Sequence, residues 1–176
     1  MNRPLIALMG SPNSGKTTLF NALTGLRGKV GNYPGVTVDR REGLVATPGG
    51  TVAVVDLPGL YSLEPLSEDE KISSRVLKGE MPGETPPDGI VVVADATSLE
   101  RSLPFVAEVL SLGKPVLLAL TMVDELKARG GSVDLFRLQK ALGIKKEDEE
   151  TVKAILWEPP RSILLEVVPT LLRRLE

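Results

Sequence analysis

Short apolar runs alternate along the chain with longer segments of mixed polarity. Two runs, GIVVVAD at residues 89–95 and KPVLLALT at residues 114–121, are almost free of polar positions. Uninterrupted apolar runs of this length are typical of central strands in a parallel sheet, because helices cover both faces of such a sheet. A third run, RPLIALM at residues 3–9, has the same character. The pattern predicts an α/β domain built on a mostly parallel sheet.

The segments between these runs predict helices and one hairpin. Helical spacing of apolar positions marks four segments: residues 15–25, 68–79, 102–113 and 132–143. Residues 42–47 and 51–56 flank the turn sequence PGG and predict a β-hairpin, which adds an antiparallel strand and makes the sheet mixed. The glycine-rich segment 27–39 has no periodic pattern and is predicted to be a loop.

The chain divides into a domain and a tail. Residues 1–143 are predicted to form one domain, and residues 144–176 a separate helical tail. The tail would contain two helices broken at Pro159 and Pro160. Its segment SILLEVV, at residues 162–168, is also compatible with a strand.

Composition limits the chemistry that the chain can perform. The 176 residues carry a net charge of −2, which does not favour binding to nucleic acid. The sequence contains no cysteine and no histidine, which excludes disulfides, thiolate catalysis and imidazole metal ligands. Any catalysis must therefore use lysine, carboxylates, hydroxyls, backbone amides or a bound ion. The apolar runs are much shorter than the roughly 18 residues that a membrane-spanning helix needs, so we expect this chain to be soluble.

The first apolar run leads directly into GSPNSGKT, from Gly10 to Thr17, and a predicted helix follows. A strand, the pattern G-x-x-x-x-G-K-[ST] and a helix together indicate a phosphate-binding P-loop. Gly10 and Gly15 let backbone N–H groups turn towards a phosphate, and the helix N-terminus adds partial positive charge. Lys16 would contact the β- and γ-phosphates, and the Thr17 hydroxyl would bind Mg²⁺. The alternative, a glycine-rich turn without a ligand, leaves the flanking strand and helix unexplained.

Three more positions indicate a GTPase. Asp56 ends a predicted strand and is followed by LPG, so it is predicted to be a metal-binding aspartate joined to Gly59, whose N–H would contact the γ-phosphate. Thr37, in the segment before the hairpin, is the candidate that closes over Mg²⁺ and the γ-phosphate. Asp124 follows a buried strand, where its carboxylate would accept hydrogen bonds from guanine N1–H and the exocyclic amine. An ordinary turn at Asp56 and a plain loop threonine at Thr37 are the alternatives.

Together these motifs resemble the cytosolic G domain of the bacterial ferrous-iron transporter FeoB family. The resemblance covers Leu5 to about Gly143 and is most specific in four segments: residues 10–25, 30–43, 56–70 and 92–103. It implies a three-layer, Ras-like P-loop GTPase fold with a mixed, mostly parallel sheet. It also implies GTP or GDP, Mg²⁺ and K⁺ as ligands. No pattern in the residues themselves indicates iron.

The resemblance implies partners and a location as well. A membrane permease portion of the same polypeptide would take up Fe²⁺, and the G domain would regulate or couple that uptake at the cytoplasmic face of the bacterial inner membrane. Small accessory Feo proteins would be further partners, and nucleic acid would not be one. The oligomeric state is not indicated.

The site residues that the resemblance implies fall into three groups. Nucleotide contacts are expected from Gly10, Asn13, Ser14, Gly15, Lys16, Thr17, Thr18, Gly35, Val36, Thr37, Asp56, Gly59, Thr121, Met122 and Asp124. Catalytic roles are expected for Asn13, Lys16, Thr37 and Gly59. Mg²⁺ is expected at Thr17, Thr37 and Asp56.

The position after DLPG carries Leu60, where many small GTPases have a water-orienting glutamine, so another group must stabilise the charge of the transition state. The resemblance implies that Asn13 and the backbone from Gly31 to Tyr33 hold K⁺ beside the β- and γ-phosphates. Such a cation would stabilise transition-state charge as an arginine finger does. The alternative is that Asn13 only supports the loop through hydrogen bonds from its side chain to the backbone.

The chain departs from the family at two places. Thr121 stands where the family has asparagine, whose amide can bridge the base and the P-loop. No Ser-Ala dipeptide follows Asp124, although the family uses such a motif to contact guanine O6. We therefore expect a base pocket that is incomplete on one side. We also expect a sheet that either lacks its last strand or fills that edge with residues 162–168.

Two other functions fit parts of the sequence. A soluble GTPase acting on the ribosome or on RNA would need an RNA-binding module or a basic surface, and neither is evident in the sequence. A weakly catalytic, regulatory nucleotide-binding module with relaxed base specificity is favoured by Thr121 and by the missing Ser-Ala motif. The intact P-loop, Thr37 and the DLPG segment oppose this second alternative.

Overall fold

The computed structural model describes residues 3–47, 50–144 and 152–156. The strands in these ranges are β1 (Leu5–Gly10), β2 (Lys29–Asn32), β3 (Asp39–Thr47), β4 (Gly50–Asp56), β5 (Gly89–Asp95), β6 (Val116–Thr121) and β7 (Val152–Leu156). The helices are α1 (Lys16–Thr24), α2 (Glu68–Lys78), α3 (Leu99–Leu110), α4 (Val123–Ala128) and α5 (Leu135–Ala141). A short 3₁₀ turn, Ala96–Ser98, precedes α3. None of the described helices is both long and apolar enough to cross a membrane.

All the strands join one sheet in the order β2-β3-β4-β1-β5-β6-β7. The pairs β2–β3 and β3–β4 are antiparallel, and the remaining neighbours are parallel. The predicted mixed, mostly parallel sheet is therefore confirmed. Since parallel strands end at the same edge of a sheet, Gly10, Asp56 and Thr121 come together at one edge.

Helices cover both faces of the sheet, as the uninterrupted apolar runs predicted. In β1, Ala7 belongs to a buried cluster that includes Ile72 of α2 and Phe105 of α3. Its neighbour Leu8 belongs to the cluster on the other face, which includes Leu19 of α1. The three-layer α/β architecture is confirmed.

The prediction of a loop over residues 27–39 is partly wrong. Residues Lys29–Asn32 form the edge strand β2, which pairs with β3 through the register Asn32 to Asp39. All of β2 is exposed, so backbone pairing alone holds it to the sheet and no apolar alternation marks it. Helix α3 begins at Leu99 rather than at residue 102, directly after a 3₁₀ turn capped by Asp95. Helix α4 was not predicted.

The prediction of a helical tail is wrong for residues 152–156, which form β7. This strand pairs in parallel with β6, from Val116 opposite Val152 to Leu120 opposite Leu156. The sheet therefore has its last strand, and residues 152–156 rather than 162–168 form it. The sheet also continues beyond the predicted domain boundary at residue 143. The other tail predictions, including the break at Pro159 and Pro160 and the strand at 162–168, lie outside the described residues.

Candidate nucleotide-binding site

The loop between β1 and α1 has the backbone of a phosphate cradle. Asn13 has a φ of 64° and Gly15 a φ of 82°, so both residues lie in the left-handed region. The N–H of Ser14 donates to the carbonyl of Ser11 at 3.2 Å, which closes the turn between them. Left-handed residues next to right-handed ones direct successive N–H groups to one side, and this concavity favours anions. Helix α1 begins immediately after it, at Lys16.

Two glycines lie where other parts of the chain pack closely against them, and the contact is closest at Gly10. A Cβ atom on Gly10 would lie 2.3 Å from the carbonyl oxygen of Val93 in β5. A Cβ atom on Gly59 would lie 3.1 Å from the ring of Pro12 in the P-loop. The segment after β4 therefore lies against the P-loop, where the sequence predicted a γ-phosphate contact from Gly59. The N–H of Leu60 donates to the carbonyl of Gly10 at 3.1 Å and fixes this arrangement.

Lys16 and Asp56 form an ion pair at the floor of the site. The Lys16 ammonium donates a hydrogen bond to the Asp56 carboxylate. The two side chains are only 13% and 6% exposed. In β4, Asp56 lies opposite Leu8 of β1, so the sheet register brings the carboxylate to the start of the P-loop. Each charge compensates the other in a position from which water is mostly excluded.

Two cavities that share lining residues form a groove next to the ion pair. The first, of about 450 Å³, is lined by Ser11, Pro12, Asn13, Gly15, Lys16, Thr17, Thr18, Gly59 and Met122. The second, of about 430 Å³, is lined by Lys16, Thr17, Thr37, Val38, Asp39, Arg41, Asp56, Leu57, Pro58 and Asp69. Lys16 and Thr17 line both cavities, so the two lie side by side at the start of α1. The second cavity brings together the predicted metal ligands Thr17, Thr37 and Asp56.

The first switch of a GTPase is expected at residues 31–39, between α1 and the hairpin, and this segment contains a tight turn. The N–H of Val36 donates to the carbonyl of Tyr33 at 3.2 Å, and Gly35 between them has a φ of 78°. Gly35 and Val36 line a separate cavity of about 660 Å³ against α2, away from the P-loop residues. Thr37 and Val38, which follow the turn, line both this cavity and the cavity of the predicted metal ligands. The predicted nucleotide contacts from Gly35 and Val36 are therefore not on the groove in this conformation.

Gly31 and Tyr33, predicted to complete a K⁺ shell, are occupied elsewhere. Gly31 pairs with Arg40 in the β2–β3 ladder, and the cavity that Asn13 lines includes neither Gly31 nor Tyr33. The Tyr33 side chain is 1% exposed, and its hydroxyl has no hydrogen-bond partner among the described residues. Burial raises the pKa of this phenol well above its ordinary value, and the nearby Arg40 guanidinium opposes that shift.

Asn13 itself is on the groove. It is exposed, and its side chain makes no hydrogen bond within the described part of the chain. Its left-handed backbone suits asparagine, which adopts this conformation more readily than most residues. The side-chain amide of Asn13 is therefore free to bind a ligand in the cavity of the P-loop.

The end of β6 forms the side of the site where a base is expected. Thr121 is 1% exposed, and its hydroxyl lies 2.6 Å from the carbonyl oxygen of Ser14. Met122 follows with a φ of 54° and lines the same cavity as Asn13. Asp124 lies in the first turn of α4 and is exposed. Met122 and Asp124, two of the predicted base-contacting residues, thus come directly after β6. The last residue of that strand, Thr121, is hydrogen-bonded to the P-loop.

The second switch, residues 57–67 between β4 and α2, is held in place by residues that the sequence did not indicate. Glu108 of α3 accepts a hydrogen bond from the N–H of Leu63 at 2.6 Å and another from the hydroxyl of Ser62. The hydroxyl of Ser73 in α2 donates to the carbonyl of Pro58 at 2.9 Å. In the sequence Glu108 is one of several polar residues on a helix, so no local signal marks it as a partner of this loop.

Comparison with known proteins agrees with this geometry. The model of a family described as ferrous iron transport protein B matches residues 5–158. The Fe(2+) transporter FeoB of Leptospira biflexa is 43% identical over 145 residues, which are 82% of this chain and 20% of that protein. The chain therefore spans about a fifth of the length of this relative.

Two solved structures from T. maritima have the same fold. The G domain of its FeoB iron transporter superposes with a TM-score of 0.80 at 37% identity, covering 99% of this chain and 100% of that one. The cytosolic domain of the same transporter in a GMPPNP form has a TM-score of 0.80 at 38% identity, covering 97% and 63% of the two chains. The chain has a P-loop with the DLPG segment packed on it, and the family model and the T. maritima structures match most of the chain. The chain therefore belongs to the ferrous iron transport protein B family.

Proposed function

We propose that this chain binds GTP and GDP together with Mg²⁺, hydrolyses GTP, and is stimulated by K⁺. In the full-length protein, this activity regulates or is coupled to Fe²⁺ uptake by a membrane permease portion of the same polypeptide, with this chain at the cytoplasmic face. The observation that carries the proposal is the meeting of Lys16, Thr17, Thr37 and Asp56 in one cavity beside the P-loop. The GMPPNP form of the T. maritima relative supports a guanine nucleoside triphosphate as the ligand.

The P-loop and Lys16 would bind the β- and γ-phosphates. The left-handed residues Asn13 and Gly15 direct backbone N–H groups into the loop, and α1 adds the partial positive charge of its N-terminus. Lys16 would leave Asp56 and contact the phosphates, as P-loop lysines do. The N–H of Gly59, held against Pro12, would contact the γ-phosphate.

Thr17, Thr37 and Asp56 would bind Mg²⁺. They offer two hydroxyl oxygens and one carboxylate oxygen, a donor set of the hard oxygens that Mg²⁺ prefers. Mg²⁺, when bound, neutralises negative charge on the β- and γ-phosphate oxygens. The Lys16–Asp56 ion pair would be exchanged for a lysine–phosphate contact and a carboxylate–metal contact, so neither buried charge is left without a partner.

Asn13 would stabilise the transition state through a bound K⁺ ion. The position that orients the attacking water in many small GTPases is occupied by Leu60, whose side chain is fully buried in the core. Asn13 lines the cavity at the P-loop, where its amide oxygen would hold a monovalent cation that adds positive charge beside the phosphates. Gly31 and Tyr33 would contribute carbonyl oxygens only after the first switch leaves its present turn.

Asp124 would select guanine, because its carboxylate can accept hydrogen bonds from two adjacent donors that adenine lacks in this arrangement. The direct test is inorganic phosphate release from GTP and from ATP, measured side by side in a K⁺ buffer. We expect hydrolysis of GTP by the parent protein and much slower hydrolysis of ATP.

Asp124→Ala should reduce GTP hydrolysis at low GTP concentration and leave the hydrolysis of ATP unchanged. The matched control is Glu125→Ala, the neighbouring exposed carboxylate. Equal turnover of GTP and ATP by the parent protein would overturn the proposal.

A further inference from the structure

The loop between α2 and β5, residues 79–88, packs against the first switch and the strand that follows it. Near the centre of this loop, Glu84 accepts a hydrogen bond from the Arg40 guanidinium of β3 at 3.0 Å. The Glu84 side chain is only 11% exposed. The preceding residue, Gly83, lies against the first switch itself, because a Cβ atom there would be 3.4 Å from the ring of Pro34. The loop therefore makes one polar and one apolar contact with this region.

Both ends of the loop are anchored in the body of the domain. At the α2 end, the Met81 side chain is buried in the core. At the β5 end, the Asp88 carboxylate accepts a hydrogen bond from the N–H of Leu5 at 2.7 Å. The Lys114 ammonium donates to the carbonyl of Pro87 at 2.6 Å. The loop is thus a fixed support, and the first switch is the segment that can move relative to it.

A tight turn in the loop presents Glu84 to Arg40. The N–H of Glu84 donates to the carbonyl of Met81 at 3.2 Å, and Pro82 and Gly83 lie between them. Gly83 has a φ of 78°, as the third residue of a type II turn requires, and proline is favoured at the position before it. The local sequence MPGE therefore determines where Glu84 leaves the turn.

The alternation of side chains along β3 directs Arg40 to this loop. Arg40 also donates a hydrogen bond to Glu42, two residues along the same face of the strand. Its neighbour Arg41 lies on the opposite face and lines the cavity of the predicted metal ligands. Hydrogen bonds between a guanidinium and a carboxylate are among the stronger polar contacts in proteins. The two carboxylates therefore hold Arg40 on the α2 side of the sheet, away from the P-loop.

The segment beside these contacts is the one that the proposed K⁺ site needs. The Tyr33 side chain is buried, and the Tyr33 N–H donates to the carbonyl of Val38 at 3.1 Å. Gly35 and Val36 line a cavity to which Met81 of the loop also contributes. The turn of the first switch is thus packed against the loop, and these contacts must break before the switch can reach the P-loop.

We propose that Glu84 is a positioning residue that holds the first switch, through Arg40, in its present turn and away from the P-loop. This inference rests on the proposed function, in which the switch leaves the turn when a triphosphate and K⁺ bind. A contact that exists in one conformation only shifts the population towards that conformation. Loss of the Glu84 contact therefore favours the released switch. It strengthens a ligand that requires the released switch and leaves unchanged a ligand that does not.

The first measurement needs no nucleotide. Hydrogen exchange of residues 30–38, followed by mass spectrometry, reports how often the turn opens. Glu84→Gln keeps the shape of the side chain and removes its charge. We expect exchange in this segment to be about 3 to 10 times faster than in the parent protein, the scale of one partly buried ion pair. The matched control is Glu80→Gln, because Glu80 is an exposed carboxylate of the same loop without an ion pair among the described residues.

The second measurement is calorimetric titration with GMPPNP and with GDP, each with Mg²⁺ in a K⁺ buffer. GMPPNP has the γ-phosphate that the released switch would contact, and GDP lacks it. Glu84→Gln should bind GMPPNP about 3 to 10 times more tightly than the parent protein does, and GDP within about twofold. Adding Glu84→Gln to Arg40→Gln should change neither exchange nor affinity further, because Glu84 acts through Arg40.

Three results would overturn the inference. Unchanged exchange of residues 30–38 in Glu84→Gln would show that the loop does not hold the switch. Exchange that rises equally in β4 would make the contact a general support of the fold. Faster exchange of the switch with unchanged or weaker GMPPNP binding would show that a triphosphate does not have to displace the present turn. A parent protein that does not bind GMPPNP would contradict the proposed function instead, and the exchange measurement would still decide whether Glu84 holds the switch.

Discussion

The ammonium group of Lys16 donates a hydrogen bond to the carboxylate of Asp56, and both side chains are almost entirely out of solvent. The pair joins the helix that begins at the P-loop to the strand that ends at the predicted metal site. Both groups belong to the proposed binding machinery, Lys16 for phosphate and Asp56 for Mg²⁺. Their pairing compensates two buried charges, and in the proposed function a nucleotide and a metal would replace this contact.

Substitution of Lys16 should remove function and also cost stability. Lys16→Ala takes away the P-loop cation and should lower GTP hydrolysis by at least about 100-fold, the scale for losing one preorganised electrostatic group. It also leaves Asp56 buried without its partner, so we expect the free energy of unfolding to fall by about 3 kcal/mol. Phosphate release and thermal unfolding measure the two effects. Lys71→Ala, which breaks an exposed pair with Glu68, should change neither appreciably. Normal hydrolysis in Lys16→Ala would mean that the site lies elsewhere.

Gly10 should not tolerate a side chain. In Gly10→Ala the new methyl group would lie 2.3 Å from the carbonyl oxygen of Val93, so β1 and β5 or the P-loop would have to move. We expect a loss of about 1 to 3 kcal/mol of stability, as for other overpacked sites, together with weakened nucleotide binding. Gly31→Ala is the control for stability, because a Cβ atom there would have no atom of a distant residue within 4 Å. Equal melting temperatures for Gly10→Ala and the parent protein would contradict the packing described for the P-loop.

Tyr33 should make the protein sensitive to alkaline pH. Burial raises the pKa of its phenol in the folded state above the value of about 10 that it has in the unfolded chain. As the pH rises past about 10, the unfolded state loses the proton first, so stability that is fully present at lower pH is lost. Chemical unfolding measured between pH 8 and about 11 should therefore show a steeper alkaline loss in the parent protein than in Tyr33→Phe.

The same substitution has an expected effect at neutral pH. Because the Tyr33 hydroxyl has no hydrogen-bond partner among the described residues, Tyr33→Phe should leave stability unchanged or raise it by about 1 kcal/mol. Tyr61→Phe is the matched control, since Tyr61 is exposed and should follow the parent curve. Identical alkaline profiles for the parent protein and Tyr33→Phe would show that the phenol ionises equally easily in both states.

The central sheet and the P-loop could be predicted from the sequence because their chemistry is local. The strands with apolar runs are buried on both faces. Gly10 has no room for a Cβ atom, and Gly15 has a left-handed backbone that few other residues adopt. The edge strand β2 could not be predicted in the same way. All four of its residues are exposed, so only its backbone bonds to β3 identify it.

The remaining errors arise from contacts between distant segments. The short strand Val152–Leu156 follows a charged stretch that suggested a helix, and its pairing with β6 decides its structure. The bond from Thr121 to Ser14 joins residues that are 107 positions apart, so the sequence shows the substitution but not what the hydroxyl does. The bonds from the second switch to Glu108 are of the same kind.

The most direct test of the proposed function is the rate of phosphate release from GTP as K⁺ replaces Na⁺ at constant ionic strength. It is measured for the parent protein, for Asn13→Ala, and for Asn21→Ala as a control in α1 away from the groove. We expect the parent and Asn21→Ala rates to rise with K⁺. Asn13→Ala should give a flat response and a rate roughly 10- to 1000-fold lower at high K⁺, the scale of one electrostatic group. A parent rate that does not depend on K⁺, or equal stimulation of Asn13→Ala, would contradict the role given to Asn13.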